Sequence, residues 1–202
     1  MIEIAKKENI VIPFDKIGDE NWDTKTREII QSFANEWCKK LPEPKTEDEI
    51  KCLEDKLGIN LPEGLKLFYK TFGIAPVDEQ LLDFEEIGYL RDIWADEPEY
   101  GPDFTEEDKT ILPYLITFSD YLGNGNMFCF HQDTKEIYYF DHDDKPYLTK
   151  LFDTVDDYLR GCLIFCQASL YEQGVAQAEI ERWIEEIVEE LYGKETLKKW
   201  RY

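Results

Sequence analysis

The chain predicts an α+β fold. Helical periodicity fills the stretch before Gly73 and the stretch after Asp153, and three strand-like runs joined by hairpin signals lie between them. A further observation concerns charge. Thirteen of the residues from Asp78 to Asp108 are Asp or Glu, and only Arg91 opposes them. Split at Pro76 and Arg160, the chain carries −3, −16 and −3 of its total −22, so the charge is placed rather than spread. Self-repulsion of this size works against a compact state. A compensating role is therefore expected, and a basic partner would supply one.

Each element has its own signal. Residues 1–15 read as a short strand-like arm. From Asp23 to Lys40, Ile29, Ile30, Phe33 and Trp37 recur at helical spacing, with Lys39 and Lys40 in the last turn before Pro42 and Pro44 break the helix. Thr46 and Glu49 form a capping box. Ile50, Leu53 and Leu57 follow on one face, and Gly58 stops that helix. Leu61-Pro62 opens the next helix, with Leu65, Phe68, Tyr69 and Phe72 on its apolar face and Gly73 at its end.

The period then changes. Residues 74–112 read as a strand or two plus a long acidic excursion with Trp94, Tyr100 and Phe104 interspersed. Strand-like runs follow at Tyr114–Ser119, Asn126–His131 and Glu136–Asp141. Gly123-Asn124-Gly125-Asn126 turns the first gap and Gln132–Lys135 the second. In the middle run Phe128 and Phe130 alternate with Met127 and Cys129, so both faces are expected to be covered. Val155, Leu159, Cys162, Leu163 and Phe165 mark another helix, with Asp153 as its N-cap. A last amphipathic helix, 176–192, sets Ile180, Trp183, Ile184, Ile187, Val188 and Leu191 against a glutamate-rich side. Its stripe buries either in the core or in a homodimer seam. The organisation expected is a domain over 1–170, including the arm and the excursion 78–108, and a helical extension over 171–202.

Composition narrows the function. The chain is 43% hydrophobic and 14% aromatic, enough for a core despite its charge. Nucleic acid and anionic membranes are poor partners, because binding them needs clustered Lys and Arg. The N-terminus does not read as a signal peptide, and no segment approaches the roughly 20 apolar residues of a spanning helix. Five cysteines with no C-x-x-C pair argue against a disulfide framework or a zinc site. Buried reduced thiols in a cytoplasmic protein are the expectation.

Two stretches carry a family likeness. One runs Thr46-Glu47-Asp48-Glu49-Ile50, Leu53-Glu54, Leu57-Gly58-Ile59, Leu61-Pro62, Leu65, Phe68-Tyr69, Gly73. The other runs Ile116, Phe118, Gly123-Asn124-Gly125-Asn126, Phe128-Cys129-Phe130 and Ile137-Tyr138-Tyr139-Phe140-Asp141-His142-Asp143, and closes on Leu151-Phe152-Asp153-Thr154-Val155, Tyr158-Leu159. Taken in order, they resemble the SUKH superfamily over roughly residues 20–165. That superfamily includes bacterial toxin-immunity proteins and a yeast cell-wall-synthesis regulator. The resemblance implies helices packed around a central, mostly antiparallel sheet, and a non-enzymatic binding module without cofactor or metal. Many bacterial relatives neutralise polymorphic or contact-dependent toxins, often nucleases. The chain departs from the pattern in three places. Phe72 stands where relatives usually carry Asn, the excursion 78–108 is long and acidic, and helix 176–192 lies beyond the usual domain end.

Other constellations carry residue types suited to chemistry. Asp141-His142-Asp143-Asp144 could hold a divalent ion or a general base, or simply end a strand in a polar turn. Adjacent strand residues face opposite ways, which favours the turn. Ser119, Asp120 and His131 lack a nucleophile elbow. The glycine-rich turn lacks a phosphate-loop pattern. The acidic stretch is either a solvated face or a surface for Lys and Arg. The interleaved aromatics favour the surface, with carboxylates to steer and aromatics to anchor. The expected partner surface is Asp92, Trp94, Asp96, Glu97, Glu99, Tyr100, Asp103 and Phe104, joined by Asp120, Asp141 and Asp143. The expected partner is a basic toxin, with a regulatory scaffold as the alternative role.

Overall fold

The computed structural model describes residues 2–37, 39–95, 101–121, 123–172 and 174–201. Among these the fold is α+β, with seven α-helices and one six-stranded, wholly antiparallel sheet. The contacts divide the chain into two compact units. One holds residues 46–66 and 79–155, and the other holds 1–45, 67–78 and 156–202.

The sheet unit begins with α2 (Glu47–Leu57). Its capping box is formed as expected. The Glu49 N–H donates to Thr46 Oγ1 at 3.2 Å, and the Thr46 N–H donates to Glu49 Oε2 at 2.8 Å. Gly58 closes the helix at φ 70°, a left-handed cap. Lys56 Nζ donates to the carbonyls of Glu85 and Ile87, each at 3.0 Å, tying α2 to the acidic stretch. β1 (Gln80–Leu81) and β2 (Gly88–Tyr89) both pair with β3 (Leu115–Asp120). β4 (Met127–His131), β5 (Ile137–Phe140) and β6 (Leu148–Phe152) extend the sheet in order. Phe128, Cys129 and Phe130 are all buried, so both faces of β4 are covered.

The excursion is more ordered than a loop. After β2 come a 3-10 turn, Leu90–Trp94, and then α4 (Glu106–Ile111) with a second capping box, Thr105 with Asp108. Leu90 and Leu115 join Cys129, Phe140 and Leu148 in one buried cluster. Phe104, Ile111, Leu112, Met127, Tyr138 and Tyr147 pack against it. The excursion therefore roofs part of one sheet face.

The helical unit contains α1 (Trp22–Glu36), α6 (Gln177–Tyr192), α7 (Lys194–Arg201) and most of α3 (Glu63–Phe72) and α5 (Val155–Phe165). The arm is not a strand. It makes a single bridge, Ile4 to Tyr171, and a 3-10 turn at Lys7–Asn9. Side chains hold its backbone instead. Buried Gln167 accepts from the Val11 N–H at 2.8 Å and donates to the Val11 carbonyl at 2.9 Å, and Ser32 Oγ accepts from the Ile2 N–H. Helix α1 ends at Glu36, so Lys39 and Lys40 lie past it, and Trp37 is exposed. Helix α5 starts at Val155, which puts Thr154 at the cap position, while Asp153 pairs with Lys150 at 2.8 Å. The α6 stripe buries Ile180, Ile184 and Val188 within the chain, and Leu191 stays exposed.

Cysteines depart from expectation at one described position. Cys129, Cys162 and Cys166 are buried, but Cys52 is exposed on the outer side of α2. Cys38 lies outside the described residues. Among the described residues no helix is long and apolar enough to cross a membrane.

Candidate binding surface

The acidic residues of the sheet unit divide between burial and display. Asp108 is 1% exposed and works structurally: its carboxylate caps Thr105 and accepts from the Leu148 N–H at 3.0 Å. Glu79 is also buried. Asp103, Glu106 and Asp143 are almost fully open to water.

The predicted surface residues fall in two places. The register sets Asp120 opposite Met127, and Met127 opposite Phe140, so Asp120 and the 141–143 turn share one end of the sheet. There Asp120 accepts from the Gly123 N–H, and Asp141 accepts from the Asp143 N–H at 3.1 Å. Asp103 joins this end through Lys145, 3.5 Å away. Asp92 belongs to the other end. Its neighbour Arg91 donates to the Pro113 carbonyl at 2.7 Å, just before β3 begins, and Asp92 lies 3.5 Å from the Arg91 guanidinium.

The aromatics correct the sequence reading. Phe104 is no exposed anchor. It is half-buried, 6.1 Å from Phe140 and 5.7 Å from Tyr147 between ring centroids. Asp96, Glu97, Glu99 and Tyr100, with the side chain of Trp94, lie outside the described residues.

A different row of rings is open at one end, with Tyr114 exposed and His131 and Tyr138 half-buried. Tyr114 is 42% exposed and lies 5.3 Å from His131, which lies 6.4 Å from Tyr138. His131 and Tyr138 are diagonal neighbours on one face of the β4–β5 pair, within reach for rings. His131 Nδ1 accepts from the backbone N–H groups of Asp133 and Thr134, at 3.2 and 3.3 Å, leaving Nε2 as the protonated nitrogen of the neutral ring. Burial pushes the Tyr138 hydroxyl above its ordinary range, and the Glu136 carboxylate adds to that. Lys150, opposite Tyr138 on β6, bridges Asp153 at 2.8 Å and Glu136 at 2.5 Å. Those two bonds raise its ammonium, and the Lys150 bond holds Glu136 below its ordinary value. The alternation of β4 and β5 carried the signal for this row, because His131 and Tyr138 read as one face once the strands are paired.

His142 donates from Nδ1 to Asn126 Oδ1 at 2.6 Å, and the same oxygen accepts the His142 N–H at 3.0 Å. Asn126 in turn donates to the Tyr139 hydroxyl at 2.9 Å. This imidazole thus clasps the hairpin turn. No group of three or more His, Cys, Asp or Glu among the described residues is arranged to hold a metal ion. Ser119 and Asp120 pair with Phe128 and Met127, whereas His131 pairs with Leu115 at the opposite end of β3. At ~3.3 Å per residue they stand roughly 13 Å apart, so no triad assembles from them.

An antiparallel α+β module with some of its carboxylates, Asp92, Asp103 and Asp143 among them, on open surface defines the class. The chain belongs to the SMI1 / KNR4 family (SUKH-1), whose model matches residues 44–161, more than half of its 202 residues. The match covers α2 through most of α5 and leaves out the arm, α6 and α7. At the level of the family, membership supports an immunity protein or an SMI1-like regulator. No curated protein matches the chain.

Proposed function

We propose that this protein is a non-enzymatic immunity protein of the cytosol that binds a basic, cognate toxin and blocks it. The observation that carries this reading is the −16 concentrated between Pro76 and Arg160 in a member of this family. Exposed Asp92, Asp103 and Asp143, with the half-buried Asp120 and Asp141, would face a cationic surface built for phosphates. Long-range attraction would raise the association rate and weaken with salt. A regulatory scaffold is the second reading, favoured by the name of the matched family.

Affinity capture from the source cells, at low and then high salt, separates the two. Immunity predicts one basic protein whose toxic activity is inhibited by adding this chain and whose capture fails at high salt. Capture of several envelope-synthesis proteins would move the assignment to the scaffold. Reversing Asp92, Asp96, Glu97 and Asp103 to lysine should slow association with the captured toxin by at least about tenfold at low salt. An unchanged rate would remove these residues from the interface. Because His142 clasps a turn, His142→Ala should leave toxin binding intact, and loss of an enzymatic activity in that variant would overturn the non-enzymatic reading.

A further inference from the structure

The displayed rings and the charge around them together specify a ligand chemistry. Tyr114, His131 and Tyr138 form a continuous π surface at the rim of the sheet. Carboxylates lie around it: Asp92 beside the Arg91 that donates to the Pro113 carbonyl, Asp133 two residues after His131, and Glu136 with Asp153 at the Lys150 end. The nearby cations are already engaged. Arg91 is spent on Pro113 and Asp92, Lys150 on two carboxylates, and Lys135 on the carbonyls of Asn60 and Gln132. A phosphate backbone would meet a negative rim, and a purely apolar partner would leave that rim uncompensated.

We infer that this row is the anchoring site for arginine side chains of the basic partner, their guanidinium planes stacked on Tyr114, His131 and Tyr138 and their charge met by Asp133 and by the exposed carboxylates of Asp92 and Asp153, which the partner would share with Arg91 and Lys150. The inference rests on the basic-partner reading and adds where the partner docks and which cation it offers. The protein shows the same chemistry internally, since the Arg91 guanidinium lies 4.4 Å over the Tyr89 ring while donating to a carbonyl at its edge. Guanidinium suits the row better than ammonium because it is flat, less strongly hydrated, and able to stack and pair at once. The row also supplies what Phe104 cannot, ring surface open to a partner.

The test compares labelled oligoarginine and oligolysine peptides of equal length by fluorescence anisotropy at low salt, on the full chain. The arginine peptide should bind more tightly by roughly three- to tenfold in Kd, as one or two stacked rings contribute. Tyr114→Leu keeps apolar area but removes a π face. It should abolish most of that preference while the lysine peptide binds as before. Tyr114→Ser should do the same, with an unchanged circular dichroism spectrum showing that the fold is kept. Equal binding of the two peptides, or a preference that survives both Tyr114 variants, overturns the docking site and leaves the basic-partner reading standing. Failure of both peptides to bind at low salt overturns both.

Discussion

Asp108 lies within the most acidic run of the chain yet meets almost no water. One of its oxygens closes the Thr105 capping box and the other accepts the Leu148 N–H, so it fastens α4 to the first residue of β6. Asp108→Ala would strand a buried backbone donor and open the cap. Each such loss costs about 1–2 kcal/mol, so a total of roughly 2–4 kcal/mol is expected in urea unfolding. Asp108→Asn should recover at most about half of this, because its one amide oxygen replaces only one of the two acceptors while its NH2 group faces the other donor. A cost near zero for Asp108→Ala would mean that these hydrogen bonds do not hold α4 to β6. This residue also marks a limit of the sequence reading. Thr105 with Asp108 is a capping pair with Asp in place of Glu, and inside thirteen carboxylates it looks like one more charge. Counting acids gives the net field, but nothing in the count tells which carboxylate turns inward.

Helix α7 shows the same limit at the scale of an element. It carries only Leu197 and Trp200 as buried residues, too few for an apolar stripe, and Gly193 reads as the end of the chain's last helix. Yet Trp200 is 1% exposed, 5.1 Å from Phe165 and 6.2 Å from Tyr158, and its ring lies over Gly161 of α5. A Cβ at Gly161 would come within 2.7 Å of two ring carbons. Arg201 continues the contact, 4.2 Å over the Phe165 ring and 2.6 Å from Asp78. Trp200→Ala is expected to cost about 3–5 kcal/mol. Gly161→Ala should cost a net ~1–2 kcal/mol, since the clash outweighs the better helix propensity of alanine. Introduced together, the two changes should cost clearly less than the sum of the single changes, because alanine at 200 makes room for the new methyl. Strict additivity in a double-mutant cycle would mean that the ring does not sit on Gly161. Where patterns were long they were legible: both helices with capping or proline signals and all three hairpin strands stand where their periodicity put them. β6 was missed because its Leu148, Leu151 and Phe152 straddle a register shift, which breaks the alternation.

The whole molecule is governed by its net charge of −22. Titration of named groups gives the sign of its response to pH. Burial pushes the Asp78 carboxyl above its ordinary 3.8, with Arg201 pulling the other way, and burial likewise raises Asp156 against the Ile17 N–H that it accepts. A group that holds its proton more tightly folded than unfolded adds stability below its raised value and loses that contribution as pH rises through it. Mutual repulsion of the carboxylates acts in the same direction. Glu136 and Glu186 oppose it. Lys150 and Lys7 hold them below the ordinary 4.5, so their contribution is complete above that value and disappears as pH falls through the lowered one. At low salt the melting temperature should therefore rise as pH falls from neutral toward the window just above 4.5, and then drop as the paired glutamates protonate. At neutral pH added salt should raise the melting temperature by a few degrees through screening. Near the isoelectric point of about 4.4 the salt effect should shrink toward zero. Differential scanning calorimetry over a grid of pH and salt reads both trends. A melting temperature that falls with salt at neutral pH would show that the ion pairs outweigh the repulsion. The acidic field would then be balanced within the fold, and the case for a basic partner that relieves it would fail with it.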